Sequence, residues 1–165
     1  MATLRAGLPG AGHALSATSD RPYLLERVDD AAVVQLYADG FADLPLAEKT
    51  LAWHLYQAAI AGRDIYYDQR YGPSLAMRQV LEAILTHASE VDPDALERIH
   101  HYTKLFWLNS GPHNNLTARK FMLRCDRAAF AAAVRSAANH GATLPLAPGE
   151  PLDAMLDRLA PFFFD

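Results

Sequence analysis

The chain has 165 residues, 51% of them hydrophobic and 21% charged, which is long enough for one domain with a real core. Its formal net charge of −4, without a lysine and arginine cluster, removes the electrostatic basis for nucleic acid or an anionic membrane surface as partner. No apolar run approaches the roughly 18 residues that a membrane-crossing helix needs, and the lone Cys125 excludes an internal disulfide and suits a reducing compartment.

Residues 1–20 are rich in Ala, Gly, Ser and Thr. Gly7, Pro9, Gly10, Gly12 and His13 break any apolar stretch, so this segment reads as a disordered start rather than a signal peptide. Tyr23, Leu24 and Leu25 open an extended segment, and residues 32–37 form the best strand candidate before Gly40. That strand either pairs with the Tyr23 segment or finds its partner outside the chain. Pro45 starts a helix that runs to Gly62, with Leu51, Leu55, Ala58 and Ala59 at helical spacing. Trp53, Tyr56 and Ile60 widen its apolar face, which predicts burial on more than one side.

Between Gly62 and Arg70 the chain concentrates charges and tyrosines, as either a polar contact site or an Arg/Asp network. Pro73 opens the next helix, whose face is Leu75, Met77, Val80, Leu81, Ile84 and Leu85. Asp92-Pro93-Asp94 combines a cap, a proline at the first helical position and a first-turn acid, so a helix is predicted from there through Phe106. Asp126 caps another that Gly141 ends. A proline-rich connector over 144–151 leads to a short amphipathic helix carrying Leu152, Met155, Leu156 and Leu159. Phe162, Phe163 and Phe164 then either tuck into the domain's own core or mark a polypeptide meant to continue. The fold expected is mainly α: an orthogonal multi-helix domain over 21–165, with at most a short strand pair near the N-terminus.

The stretch 106–121 has the greatest density of ligand-capable side chains: Asn109, Ser110, His113, Asn114, Asn115 and Thr117 around Gly111-Pro112. It holds no acid, thiol or metal-ligand cluster, so it can position a ligand but not carry out a reaction alone. The seven histidines supply no His-Glu-x-x-His helix, and His100 and His101 point about 100° apart on a helix and cannot share one ion. Ser110-Gly111 lacks the Gly-x-Ser-x-Gly context of a nucleophile elbow, and Cys125 reads as a small core residue. Neither a metal site nor catalysis is expected of these residues alone.

Four segments resemble the N-terminal region of bacterial dipeptidyl-peptidase III-type zinc peptidases. They are residues 43–49 (DLPLAEK), residues 56–69 (YQAAIAGRDIYYDQ), Trp107 to Gly111 with the following His/Asn loop and Lys120-Phe121, and residues 144–150 with 159–165. The similarity runs over roughly residues 32–165. It implies a two-lobed cytosolic exopeptidase that removes dipeptides from oligopeptide N-termini. In that family, zinc is held by a His-Glu-x-x-Gly-His helix and a further glutamate, both downstream of this region, and neither motif stands in the sequence.

The resemblance therefore implies an inactive N-terminal part of the non-catalytic lobe. Its partners would be the β-core and zinc lobe of the same enzyme and an oligopeptide substrate. The loop lines the cleft on the primed side, so Asn109, Gly111, His113, Asn114 and Asn115 become candidate peptide-binding residues, with Leu116 as an apolar wall. Relatives usually carry an aromatic where Leu116 stands, and a more His-rich loop. Two alternatives stay open. Asn109 and Asn115 can instead cap helices and fix turns. The whole chain can be an independent helical protein that binds a peptide or protein without catalysis.

Overall fold

A computed structural model describes residues 21–165, and the disorder expected over 1–20 lies outside the described residues. The chain groups into two compact units, Met1–Tyr37 and Ala38–Asp165.

In the first unit, β1 (Leu24–Val28) and β2 (Ala31–Val34) pair antiparallel around an Asp29-Asp30 turn. Asp29 sits at φ 52°, a conformation that Asp tolerates because its short side chain can hydrogen-bond locally. The register runs Val28 to Ala31 and Arg27 to Ala32, then shifts between Glu26 and Leu24, marking an irregularity of the bulge kind. Beyond the ladder, Gln35 N–H donates to Tyr23 O at 2.7 Å, and the Tyr37 hydroxyl donates to Pro22 O at 2.9 Å. The Tyr23 and Tyr37 rings meet edge to face at 5.7 Å. The partner of the strand candidate is thus the Tyr23 segment of the same chain.

The second unit begins with a 3-10 turn at Asp39–Asp43 and continues through α1 (Leu46–Ala61), α2 (Arg63–Arg70), α3 (Ser74–His87), α4 (Pro93–Asn109), α5 (Arg127–Asn139) and α6 (Leu152–Phe164). The described chain is mainly helical with one two-stranded antiparallel sheet near its N-terminal side, as its sequence pattern implies. Asp92 caps α4 by accepting from Ala95 N–H at 2.9 Å, and Asp126 caps α5 by accepting from Ala128 and Ala129 N–H. Such caps contribute about 1 kcal/mol each because they satisfy N–H groups that have no partner inside the helix.

The core is built where α3 meets α4, α5 and α6. Met77, Val80, Leu81 and Ile84 of α3 pack with Ile99, Tyr102 and Phe106 of α4, Phe130 and Val134 of α5, and Met155, Leu156 and Leu159 of α6. The phenylalanine run resolves into this core. Phe163 is fully buried with its ring 4.9 Å from that of Phe130, and Phe164 packs on Phe130 from the side at 5.6 Å. Leu123 N–H donates to Phe163 O at 2.9 Å, so the segment before α5 holds the end of α6 by its backbone as well.

Two features differ from expectation. Gly62 ends α1 as expected, but it stays in the right-handed region at φ −81° and ψ −7°, and an unforeseen helix, α2, begins one residue later. More consequentially, α1 is not buried. None of its residues is buried, and Leu46 (79% exposed), Leu51, Trp53, Leu55, Tyr56 and Ile60 all face outward. Its large apolar residues are distributed around the helix rather than along one stripe, so a single neighbour cannot cover them, and α2 is its principal contact among the described elements.

The charges after Gly62 form a network between helices. Arg78 of α3, with its guanidinium largely enclosed, donates to Asp64 of α2 at 2.8 Å. Its Nε stands 3.3 Å from Glu82 at an angle too skewed for a hydrogen bond. Glu82 in turn accepts from the Trp107 indole of α4 at 3.2 Å. The hydrogen bond from Arg78 holds the Asp64 carboxyl below its ordinary range. Three helices are tied at their polar edges by this chain of contacts.

Candidate functional site

The loop between α4 and α5 is held by its own polar groups. Asn109, the last residue of α4, is buried. Its amide donates to Leu105 O at 2.9 Å, and its side-chain oxygen accepts from Asn115 N–H at 3.0 Å. Ser110 follows at φ 51°, the left-handed conformation that closes many helices, and Gly111 N–H donates back to Phe106 O at 3.0 Å. Gly111 has φ +150°, and a Cβ there would stand 3.2 Å from Ser74 Oγ. Both the conformation and the tight approach call for glycine. Pro112 is fully buried, and its carbonyl accepts from Phe121 N–H at 2.8 Å.

Beyond Pro112 the loop folds back on itself. His113 bridges Lys120 as a short antiparallel pair, and Asn114 N–H donates to Arg119 O at 2.9 Å. Asn114 Oδ1 accepts from the N–H of Leu116 and of Thr117, both at 2.9 Å, the local turn that asparagine side chains make best. Leu116 is carried at the tip, 95% exposed. A loop this internally bonded carries an apolar residue on a fixed backbone.

A shallow cavity of about 220 Å³ lies at the base of the loop, lined by Arg70, Tyr71, Ser110, Gly111, Pro112 and His113. Of the candidate residues it gathers Gly111 and His113. Asn109 lies beneath as a structural clamp, the Asn114 oxygen is committed inside the loop, and Asn115 and Leu116 stand at the exposed tip. Arg70 and Tyr71 come from the end of α2, and sequence reasoning missed them as members of this site. The polar run ending at Arg70 was the available signal, but nothing in spacing joins it to a loop forty residues on.

The Tyr71 ring stands edge-on to His113 at 5.0 Å and to Phe162 at 6.1 Å, which fixes that wall. Burial, then the nearby Lys120 and Arg70 charges, push the His113 pKa down, so the imidazole is neutral at pH 7 and both donates and accepts. Burial raises the pKa of the neighbouring Tyr67 hydroxyl. Beneath the wall, Ser74 Oγ is fully buried with no hydrogen-bond partner.

Among the described residues no three His, Cys, Asp or Glu side chains are grouped to hold a metal ion. The zinc implied by the family resemblance therefore finds no donor set in them. Burial and Asp126 push the Cys125 thiol up to about 11, which keeps it protonated and unreactive at neutral pH. No described helix is long and apolar enough to cross a membrane. No protein-family model matches the chain, and no curated protein matches it. The arrangement offers hydrogen bonds, one guanidinium and an apolar tip, which is the chemistry of holding a ligand.

Proposed function

We propose that this chain is the helical, peptide-contacting part of a cytoplasmic dipeptidyl-peptidase III-like zinc exopeptidase, inactive alone. The observation that carries this reading is the loop. Its backbone is fixed by Asn109 and Asn114, its residues 110 and 118 sit in left-handed conformations, and it projects His113, Asn115 and Leu116 beside a cavity. Strained, over-determined loops of this kind are characteristic of ligand-holding positions. In this reading His113 and Asn115 hydrogen-bond peptide backbone, Leu116 supplies an apolar wall, and the β-core and zinc lobe of the enzyme supply metal and general base. The family in this reading rests on the motif resemblance alone, and the uncovered apolar helix α1 agrees with a larger body packed against it.

Purified chain is expected to retain no stoichiometric zinc and to release no dipeptide from a chromogenic dipeptidyl substrate. Zinc-dependent turnover by this chain alone overturns the division of labour. In an active enzyme containing this region, Leu116→Asp should lower kcat/KM several-fold without changing thermal stability, and unchanged turnover removes the loop from the cleft. The surface of α1 also favours a second reading, a helical protein that docks a protein partner without catalysis. Stable complex formation through α1 with no peptide binding at the loop would select it.

A further inference from the structure

Arg70 differs from the arginines that pin this unit together. Arg78 meets Asp64, Arg135 meets Asp153, Arg127 meets Asp165, and Arg158 grips both oxygens of Glu150. Arg70 instead donates to the neutral hydroxyl of Tyr66 at 3.0 Å, and its guanidinium carbon lies 5.6 Å from the centre of that ring. Among the described residues no carboxylate lies within ion-pair range of it. It nonetheless lines the cavity, together with Ser110 and His113.

Two further observations give the cavity a sign and a size. Of the lining residues, Arg70 alone is a permanent cation, whereas Lys120 behind His113 is engaged by Pro161 O and Asp165 O. A volume of about 220 Å³ admits an end group with one small side chain, whereas whole small-molecule sites run from roughly 300 Å³ upward. A peptide thus meets the cavity with a terminus rather than by threading through it. Its walls are preorganised: Tyr71 is wedged between His113 and Phe162, and Gly111 lies against Ser74.

We propose that Arg70, with the Ser110 hydroxyl and the His113 imidazole, forms a subsite for the C-terminal carboxylate of a peptide. This deepens the peptide-binding reading above and rests on it. Arg70 is the residue that determines specificity, because a planar guanidinium matches a carboxylate through two parallel hydrogen bonds. His113, being neutral, adds a directional donor. Leu116 then contacts the residues preceding the terminus.

The test uses the whole chain, nitrogen-15 labelled, and follows the backbone N–H signals of Ser110, Gly111 and His113. The probes are N-acetyl-Ala-Ala as the free acid, the same dipeptide as its C-terminal amide, and inorganic phosphate. The acid is expected to bind roughly tenfold more tightly than the amide. In Arg70→Gln the acid falls to the level of the amide while the amide is unchanged, and Arg70→Lys restores only part of the preference. Arg70 is exposed, so unaltered thermal unfolding of both variants excludes a folding defect. Equal binding of acid and amide overturns the carboxylate subsite and leaves peptide binding standing. Failure of both dipeptides to shift these signals overturns both. Phosphate competing as well as the acid reduces the site to an unspecific anion hole and overturns the assignment to a peptide terminus.

Discussion

Helices α1 and α6 are similarly rich in large apolar side chains, and they meet opposite fates. In α6, Met155, Leu156, Leu159 and Phe163 recur along one stripe and disappear into the core, while Asp153, Asp157 and Arg158 take the outer side. In α1, Leu51, Trp53, Leu55, Tyr56 and Ile60 are spread around the axis and remain in the open. Within one domain, the angular distribution of apolar residues decides burial more than their number does. A stripe finds a core, whereas a full collar needs an enclosure.

This contrast can be broken by mutation. Phe163→Ala should destabilise the chain by about 3–5 kcal/mol in urea unfolding, since it deletes a fully buried ring from a closed cluster. A loss below ~1 kcal/mol would mean that the end of α6 is not a core element. Asn109→Ala should cost about 1–2 kcal/mol, because Leu105 O and Asn115 N–H lose their buried partner. Hydrogen exchange at residues 115–117 should accelerate in the same variant, and unchanged protection would refute the clamp.

A subtler effect tests the connector before α6. Arg158 hydrogen bonds, then the N–H of Ala147, lower the Glu150 pKa from 4.5 to about 2. A carboxylate with a depressed folded pKa contributes stability that is complete above its unfolded pKa and is lost as pH falls through the folded one. Urea midpoints should therefore place Glu150→Gln below the parent at neutral pH, with the gap closing between pH 4.5 and 2. A gap that persists at pH 2 would locate the effect in packing. The smallest change is expected for Trp53→Ala, below about 0.5 kcal/mol, because its ring is 59% exposed. A loss approaching that of Phe163→Ala would show that α1 is covered in solution.

Much of the helical frame was legible because its signals are local. Asp92-Pro93 and Asp126 announce α4 and α5 through caps that need no distant partner. The strand at 31–34 was legible in type, and its in-chain partner was one of two open options. The exposure of α1 was not legible, since apolar residues on every face signal burial, and only coordinates show that no described element encloses them. Helix α2 was missed because glycine reads as a stop, and Gly62 does stop α1, but a new helix starts at the very next residue.

The site divides along the same line. The density of Asn, Gly and His picked out the loop, and Gly111 and His113 do line the cavity. That Asn109 faces inward as a clamp follows from burial, which composition does not contain. Arg70 and Tyr71 reach the site only because α2 packs on α3 and stacks Tyr67 on Phe106 of α4, a tertiary event without a sequence period.

The contacts from Asp64 through Arg78 and Glu82 to Trp107 also give the molecule an intrinsic optical signal. An indole N–H bonded to a carboxylate emits according to that bond, and Trp53, the other tryptophan, stands apart on an exposed helix. With Trp53 replaced by Phe, emission from Trp107 becomes a one-residue gauge of how α2 sits on its neighbours. Because α2 ends at Arg70, a ligand that draws the guanidinium into the cavity would be read as a change in colour, with no label attached.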